Sequence, residues 1–169
     1  MITYLNLHKD ITELYILNLG DLVSGRIHTT IRIDNQIDAV TQVIEVSEIL
    51  AEFIANIANY TDVHIKYYDT LDNHSRLEPN KENSVELESL SRITHWHLQH
   101  RLSKFINIDI LDNNFSDDII TTTILGHPVA AVHGDKDKQA TIVANLSMIT
   151  RNIYDLVCAA HLHHFSADE

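Results

Sequence analysis

The chain has 169 residues, enough for a hydrophobic core, and we expect one domain over residues 1–169. Hydrophobic residues make up 44% and charged residues 21%, and no apolar run reaches the roughly 18 residues of a membrane span, so we expect a soluble protein. The net charge of −12 argues against broad, nonspecific binding to nucleic acid. A single cysteine, Cys158, excludes an internal disulfide, and no export signal is recognised, so we expect a cytoplasmic location.

The first part of the chain predicts a strand, a long helix and a second strand. Residues 1–10 carry little signal and suggest the end of a helix or an irregular lead-in. Residues 14–19 predict a strand that ends at Gly20-Asp21, and Gly25 marks a turn. Residues 63–68 predict the second strand, so a right-handed parallel unit is favoured. Between them one helix is predicted over 33–60, with these residues facing the core: Ile33, Ile37, Val40, Ile44, Leu50, Ile54 and Ile57.

The second part predicts two more helices, a short strand, a hairpin and a final strand. One helix starts near Asn83 or Ser84, either of which can cap it, and runs to about residue 104. Residues 106–111 predict a short strand, and residues 119–125 and 128–132 predict an antiparallel hairpin. Residues 155–160 predict a strand buried on both faces. The first helix is predicted to face the core with Leu87, Leu90, Leu98 and Leu102. A second helix, before the final strand, is predicted to do so with Ile142, Leu146, Ile149 and Ile153.

Potential metal ligands follow four of the predicted strands. They are Asp21, Asn73 with His74, His133, and His161 with His163. Open α/β sheets place their chemistry at the carboxyl ends of strands, so these side chains are expected to converge. One carboxylate, one amide oxygen and several imidazoles suit manganese, iron or zinc. Two such ions about 3.5–4 Å apart can clamp a phosphate ester and activate a water between them.

Taken in order, the four motifs resemble those of the calcineurin-like metallophosphoesterases. The matching stretches are Gly20-Asp21, Asp72-Asn73-His74, Val132-His133-Gly134-Asp135 and Ala160-His161-Leu162-His163. The resemblance spans residues 14–165 and implies a layered α/β-β-α sheet fold with crossover helices, incomplete at its ends. Within the family, the sequences of these motifs are similar to those of phage-encoded members described as DNA repair exonuclease-like.

The resemblance also implies a role for each residue. Asp21 corresponds to the carboxylate that bridges two metals, and Asn73, His133 and His161 to the rest of the second-metal shell. His163 is similar to a ligand of the first metal, and His74 to the catalytic histidine beside the leaving group. The implied activity is hydrolysis of phosphodiesters, with DNA as one candidate substrate, by a metal-activated hydroxide. Manganese is the first expectation for the metal, with iron or zinc as alternatives.

Two departures from the family pattern bear on activity. The family begins with a strand ending in an Asp-x-His pair that holds the first metal, and too few residues precede residue 14 to contain it; Asn6-Leu7-His8 does not replace it. Two family glycines are replaced by Asp72 and Ala160. We therefore expect a truncated or split form that holds one ion in place of two. The alternative is a non-catalytic remnant that binds one metal or a partner without turnover.

The truncation predicts two kinds of partner besides the substrate. One is a complementing N-terminal fragment, and the other is a second copy joined through an exposed sheet edge.

Several other polar residues keep competing interpretations. Arg76, Arg26 and His28 are predicted near the mouth of the site, where they could meet a phosphate, although a solvated surface is the competing interpretation. His164 is assigned to packing and not to the metal. The cluster of His95, Trp96, His97 and His100 is interpreted as an exposed helical face.

Overall fold

A computed structural model describes residues 1–163, apart from the side chain of Ile31, so His164 and Phe165 lie outside the described residues. Among residues 1–163, no helix combines the length and the apolar character needed to cross a bilayer. The elements are α1 (Ile2–Leu7), β1 (Glu13–Asn18), α2 (Thr29–Asp34), α3 (Ala39–Tyr60), β2 (His64–Asp69), a 3-10 turn (Lys81–Asn83), α4 (Ser91–Arg101), β3 (Ile108–Ile110), β4 (Ile119–Ile124), β5 (His127–Val132), a 3-10 turn (Gln139–Thr141), α5 (Ile142–Thr150) and β6 (Leu156–Ala159).

The strands form two small three-stranded sheets in a mixed α/β protein. The first has the order β1-β2-β3 with all strands parallel, and the second has the order β4-β5-β6. In the second sheet β4 and β5 form the predicted antiparallel hairpin, while β6 runs parallel to β5. The prediction that residues 155–160 are buried on both faces is wrong, because β6 lies at the edge of its sheet and Leu156 is 52% exposed.

Three clusters of buried side chains show how the layers pack. Ile54 of α3, Leu98 of α4 and Tyr67 of β2 share a core between the helices and the first sheet. The next residue of β2, Tyr68, points to the other face of its sheet and contacts Ile120 and Ala131 of the second sheet. A smaller cluster packs α5 on the far face of the second sheet. The layers therefore run helices, sheet, sheet, helix.

The predicted helix over 33–60 is two helices, α2 and α3. The Asp38 side chain caps the start of α3 by accepting hydrogen bonds from the backbone N–H groups of Val40 and Thr41 at 2.9 and 3.0 Å. Ile54 and Ile57 are buried as predicted. The prediction of an inward face was wrong for four residues that are exposed: Ile33, Ile37, Val40 and Ile44.

The buried face of α3 differs from the predicted face because it uses small residues. Ser47 and Ala51 allow α4 to approach closely, and the Ser47 hydroxyl donates to the Thr94 hydroxyl of α4 at 3.0 Å. Helix α3 carries apolar residues on two sides, so periodicity alone did not identify the side that meets the core.

The predicted start of the next helix was also wrong. Helix α4 begins at Ser91, while Asn83 ends a 3-10 turn that is capped by the Asn80 side chain, and Ser84 follows that turn. Backbone hydrogen bonds from Leu77 to Glu88 and from Leu90 to Ser75 tie the segment before α4 to the loop after β2, and this pairing replaces helical bonding.

Leu87 is therefore exposed instead of inward, whereas Leu90, Leu98 and Leu102 are buried as predicted. In α5 the outcome is similar. Ile142 and Leu146 are buried as predicted. The prediction was wrong for Ile149, which is exposed within α5, and for Ile153, which is exposed beyond the end of α5 at Thr150.

Candidate metal centre

The predicted ligands come together where four strands end. Asp21 follows β1, Asn73 follows β2, His133 follows β5 and His161 follows β6. One ligand atom from each of Asp21, His133 and His161 lies within 4.8 Å of the other two. These three residues are distant in sequence and come from both sheets, so the convergence is a product of the fold.

His133 is the most firmly held member of the group. Its side chain is 2% exposed, and its Nδ1 donates to the carbonyl oxygen of Leu19 at 2.7 Å. Because a carbonyl only accepts, Nδ1 carries a proton, so Nε2 is the ring nitrogen that can offer a lone pair to a metal. That Nε2 lies 2.7 Å from Asn73 Oδ1 and 3.5 Å from Asp21 Oδ1. A histidine that ligates a metal characteristically donates its other N–H to a carbonyl in this way.

The donor set fits a divalent cation. Asp21 Oδ1 is buried and accepts no hydrogen bond from the described residues. It lies 3.5 Å from Nε2 of His133, which in turn lies 2.7 Å from the Asn73 amide oxygen. A buried carboxylate oxygen that accepts no hydrogen bond is costly. A cation at this point would satisfy all of these atoms at once.

The second oxygen of Asp21 faces another imidazole. Asp21 Oδ2 lies 3.1 Å from Nε2 of His163, whose side chain is largely exposed. The ring of His161 packs edge-on against that of His133, with ring centroids 5.0 Å apart. The two carboxylate oxygens of Asp21 thus face different histidines.

The backbone at the site adopts an uncommon conformation. Asp21, His161 and His163 have φ of 56°, 64° and 53°, in the left-handed region that residues other than glycine rarely occupy. In residues 1–163 only two further non-glycine residues, Leu125 and Arg151, have positive φ. Such conformations persist where surrounding structure enforces them and cluster at functional sites.

Gly20 and Asp72 lie close to each other and next to the candidate ligands. Gly20 has φ of 91°, and a Cβ there would lie 2.5 Å from Asp72 Cβ and 3.0 Å from His133 Nδ1. The Asp72 carboxylate accepts from the Ser75 backbone N–H at 2.8 Å and from the Ser75 hydroxyl at 2.7 Å. Asp72 is predicted from the sequence only as a replacement for a family glycine, so this role is a finding of the structure. It closes the turn that presents Asn73, and the Asp-x-x-Ser spacing was the available signal.

His74 and His28 lie together beside the predicted mouth. His74 Nδ1 is 3.1 Å from the carbonyl oxygen of Ser24, and its ring meets that of His28 edge-on at 5.4 Å. Gly25 permits this contact, because a Cβ there would lie 1.8 Å from the His74 carbonyl oxygen. The side chain of Gln42 in α3 accepts the backbone N–H groups of Ser24 and Gly25, which fixes the loop that holds His74.

The two predicted arginines are placed differently. Arg76 donates to the carbonyl oxygens of Glu78 and Pro79 at 2.9 and 3.0 Å, so its guanidinium is engaged by its own loop. Arg26 is exposed.

Asn6-Leu7-His8 lies near the amino-terminal ends of the strands of the first sheet. Asn6 donates to the carbonyl oxygen of Tyr60, shortly before β2 begins, whereas the candidate ligands follow the carboxyl ends of the strands.

The single cysteine is not among the candidate ligands. Cys158 packs against the core between the two sheets, and burial raises the pKa of its thiol. The centre is therefore built from oxygen and imidazole nitrogen donors.

The described residues thus contain a group, formed by Asp21, His133 and His161, that can hold a metal ion. Comparison of the chain with protein-family models, with curated proteins and with solved structures gives no match.

Proposed function

We propose that the chain is a metal-dependent phosphoesterase that hydrolyses phosphodiesters. The observation that carries the proposal is the convergence of Asp21, Asn73, His133 and His161 on one point, with Asp21 Oδ1 buried and unpartnered. A bound divalent ion would polarise a phosphoryl oxygen and lower the pKa of water at that point. The packing of two sheets between helical layers is compatible with the resemblance to calcineurin-like metallophosphoesterases.

Manganese is the proposed ion, and iron or zinc the alternatives. Oxygen and imidazole donors without thiolate suit these ions. The ion also bears on the substrate, because the chain carries a net charge of −12 and would otherwise repel a phosphodiester. A bound cation supplies local positive charge, so DNA stays a candidate substrate.

His74 is the proposed proton donor to the departing oxygen. Its Nδ1 is directed to the Ser24 carbonyl oxygen at 3.1 Å, so Nδ1 keeps a proton and the exchangeable position is Nε2. The neighbouring His28 and the exposed Arg26 are proposed to contact the substrate phosphate. Arg76 would first have to leave the carbonyl oxygens of Glu78 and Pro79.

The test combines metal binding with hydrolysis of bis-para-nitrophenyl phosphate. Calorimetric titration with manganese, iron and zinc gives stoichiometry and affinity for the wild-type chain, Asp21→Asn and His161→Ala. His127→Ala is the matched control, because His127 is an exposed histidine at the start of β5, paired with Asp155. We expect the two site variants to lose roughly 10–100-fold in metal affinity and to lose turnover, while His127→Ala keeps both. Turnover unchanged in His161→Ala would refute the proposal.

One observation favours a second candidate, a chain that binds a single ion without turnover. Asn6-Leu7-His8 lies near the opposite ends of the strands from the candidate ligands, so it does not complete a first-metal site. One tightly bound ion per chain, together with no hydrolysis of any phosphodiester tested, would support this candidate. Two ions per chain with turnover would exclude it.

A further inference from the structure

A second cavity, separate from the metal centre, lies beside helix α4. We call it the α4 cavity; it has a volume of about 670 Å³ and is lined by residues that include Asp69, Thr70, His95, Trp96, Asp112 and Asn113. This volume is in the range of roughly 300–1,000 Å³ that is typical of small-molecule sites. None of the three residues of the metal group lines it.

Three of the lining residues have a buried polar atom without a hydrogen-bond partner among the described residues. Thr70 is 2% exposed, and its hydroxyl is one of these atoms. The Asn113 side-chain amide donates through Nδ2 to the carbonyl oxygens of Asp69 and Asp117, at 2.8 and 3.1 Å. Oδ1 of Asn113 is therefore an acceptor, and it is the second such atom; Oδ2 of Asp69 is the third. Unsatisfied buried polar atoms are uncommon, and three acceptors at one cavity indicate a ligand with hydrogen-bond donors.

The His95 imidazole holds the acidic side of the cavity in place. Its Nδ1 is 2.9 Å from Asp69 Oδ1, and its Nε2 is 3.0 Å from Asp112 Oδ1. Burial lowers the pKa of His95, but the hydrogen bonds to Asp69 and then to Asp112 outweigh burial, so the pKa is raised. Both ring nitrogens are occupied by carboxylates, so the α4 cavity is not a second histidine metal site. The prediction of an exposed helical face was wrong for His95, which is mostly buried.

The rest of the lining sets the shape and charge of the ligand. Trp96 is 57% exposed although it lines the cavity, and Ile93 and Leu87 are exposed beside it. An exposed indole at a cavity offers a flat surface for stacking a ring. The charged lining residues are four carboxylates, Asp69, Glu88, Asp112 and Asp117, against the two cations His95 and Arg92. The excess of negative charge around the cavity would repel a phosphate group.

We propose that the α4 cavity binds a flat heterocycle that carries an amino group and no phosphate, with the chemistry of the adenine ring of a nucleoside. The ring stacks on Trp96, and its amino group donates to Thr70 Oγ1 or Asn113 Oδ1. This inference stands on residues outside the metal centre, so it does not depend on the proposed phosphoesterase activity.

The test uses the intrinsic fluorescence of Trp96, the one tryptophan in the sequence. Adenosine is titrated into the full chain in the presence of a metal chelator, and a saturable quench is expected. Thr70→Val removes only the unpartnered hydroxyl, so we expect roughly three- to tenfold weaker binding without loss of stability in urea. Thr123→Val, an exposed position on β4, is the matched control and should bind as the wild type does.

Two further ligands and one variant sharpen the result. Purine riboside, which lacks only the amino group, should bind more weakly than adenosine by a similar factor. Adenosine monophosphate should also bind more weakly. Asp21→Asn should bind adenosine normally, which separates this site from the metal centre. The inference is overturned if no saturable quench occurs up to about millimolar adenosine, if purine riboside or the monophosphate binds equally well, or if Asp21→Asn abolishes the signal.

Discussion

The substitution Gly20→Ala tests whether the backbone beside Asp21 positions the metal ligands. Gly20 has φ of 91°, and the added Cβ would meet Asp72 Cβ at 2.5 Å and His133 Nδ1 at 3.0 Å. The conformation alone costs an L residue about 1–2 kcal/mol. The contacts add about 1–3 kcal/mol, because the loop from Asp72 to Ser75 and the buried His133 ring have little room to move. We expect the free energy of unfolding to fall by about 2–5 kcal/mol.

The chain offers a matched control at Gly126. Its φ is 87°, almost equal to that of Gly20, but an added Cβ has nothing within 4 Å. Gly126→Ala should therefore lose only the conformational part, about 1–2 kcal/mol, and keep metal affinity. Urea unfolding gives the two free energies, and a difference of about 1–3 kcal/mol corresponds to roughly 2–12 °C in Tm for a chain of this size. Equal losses of stability, or unchanged manganese affinity in Gly20→Ala, would refute the reasoning.

Three further predictions concern the turn, one histidine and the corrected face of α3. Asp72→Ala removes both contacts to Ser75 and should lower the free energy of unfolding by about 1–3 kcal/mol, measured in urea, together with metal affinity by calorimetry. Because the pKa of His95 is raised above 6.5 on folding, its stabilising effect is present below that pH and is lost as pH rises through the raised pKa. The stability difference between wild type and His95→Gln should thus be larger near about pH 6 than near about pH 9; a constant difference would contradict this. Ile54→Ala, at a fully buried position, should lower the free energy of unfolding by about 2–5 kcal/mol. Ile44→Ala on the same helix, at 61% exposure, should lower it by less than about 0.5 kcal/mol. Equal decreases in Tm for the two variants would instead support the inward face predicted from the sequence.

The candidate centre was the most predictable part of the molecule. Strands and their ends are set by short apolar runs and by glycine, which are local signals. Gly20-Asp21 and Asn73-His74 follow such runs directly, so a general rule about strand ends was enough to bring them near His133. Their convergence on one point is seen in the structure. The chemistry proposed for them stays a prediction, since it derives from the resemblance.

The helical layer was less predictable because tertiary contacts determine which helix faces are buried and where α4 begins. Helix α3 has apolar residues on two sides, and the side that becomes buried is the one where Ser47 and Ala51 admit α4. Nothing local to α3 contains that information. The same holds before α4, where the backbone N–H of Leu77 donates to Glu88 and that of Leu90 donates to Ser75, which no helical periodicity could indicate.

His95 shows a third reason for failure. Its position on α4 suggested a solvated surface, but Asp69 at the end of β2 and Asp112 after β3 enclose it. Three acidic or basic groups that are far apart in sequence form this arrangement, and each looks ordinary alone. The sequence therefore did not predict the α4 cavity, although Trp96 and Asn113 line it.

The conformation of the metal centre supports a functional origin independently of any motif. Asp21, His161 and His163 each occupy the left-handed region, at about 1–2 kcal/mol per residue. A protein whose total stability is about 5–15 kcal/mol does not gain from such strain in its fold alone. All three strained residues carry potential ligands, and Asp21 Oδ1 also lies buried without a partner. A bound cation would satisfy the unpartnered oxygen and would favour the strained backbone that presents it, so the proposed ion explains both observations.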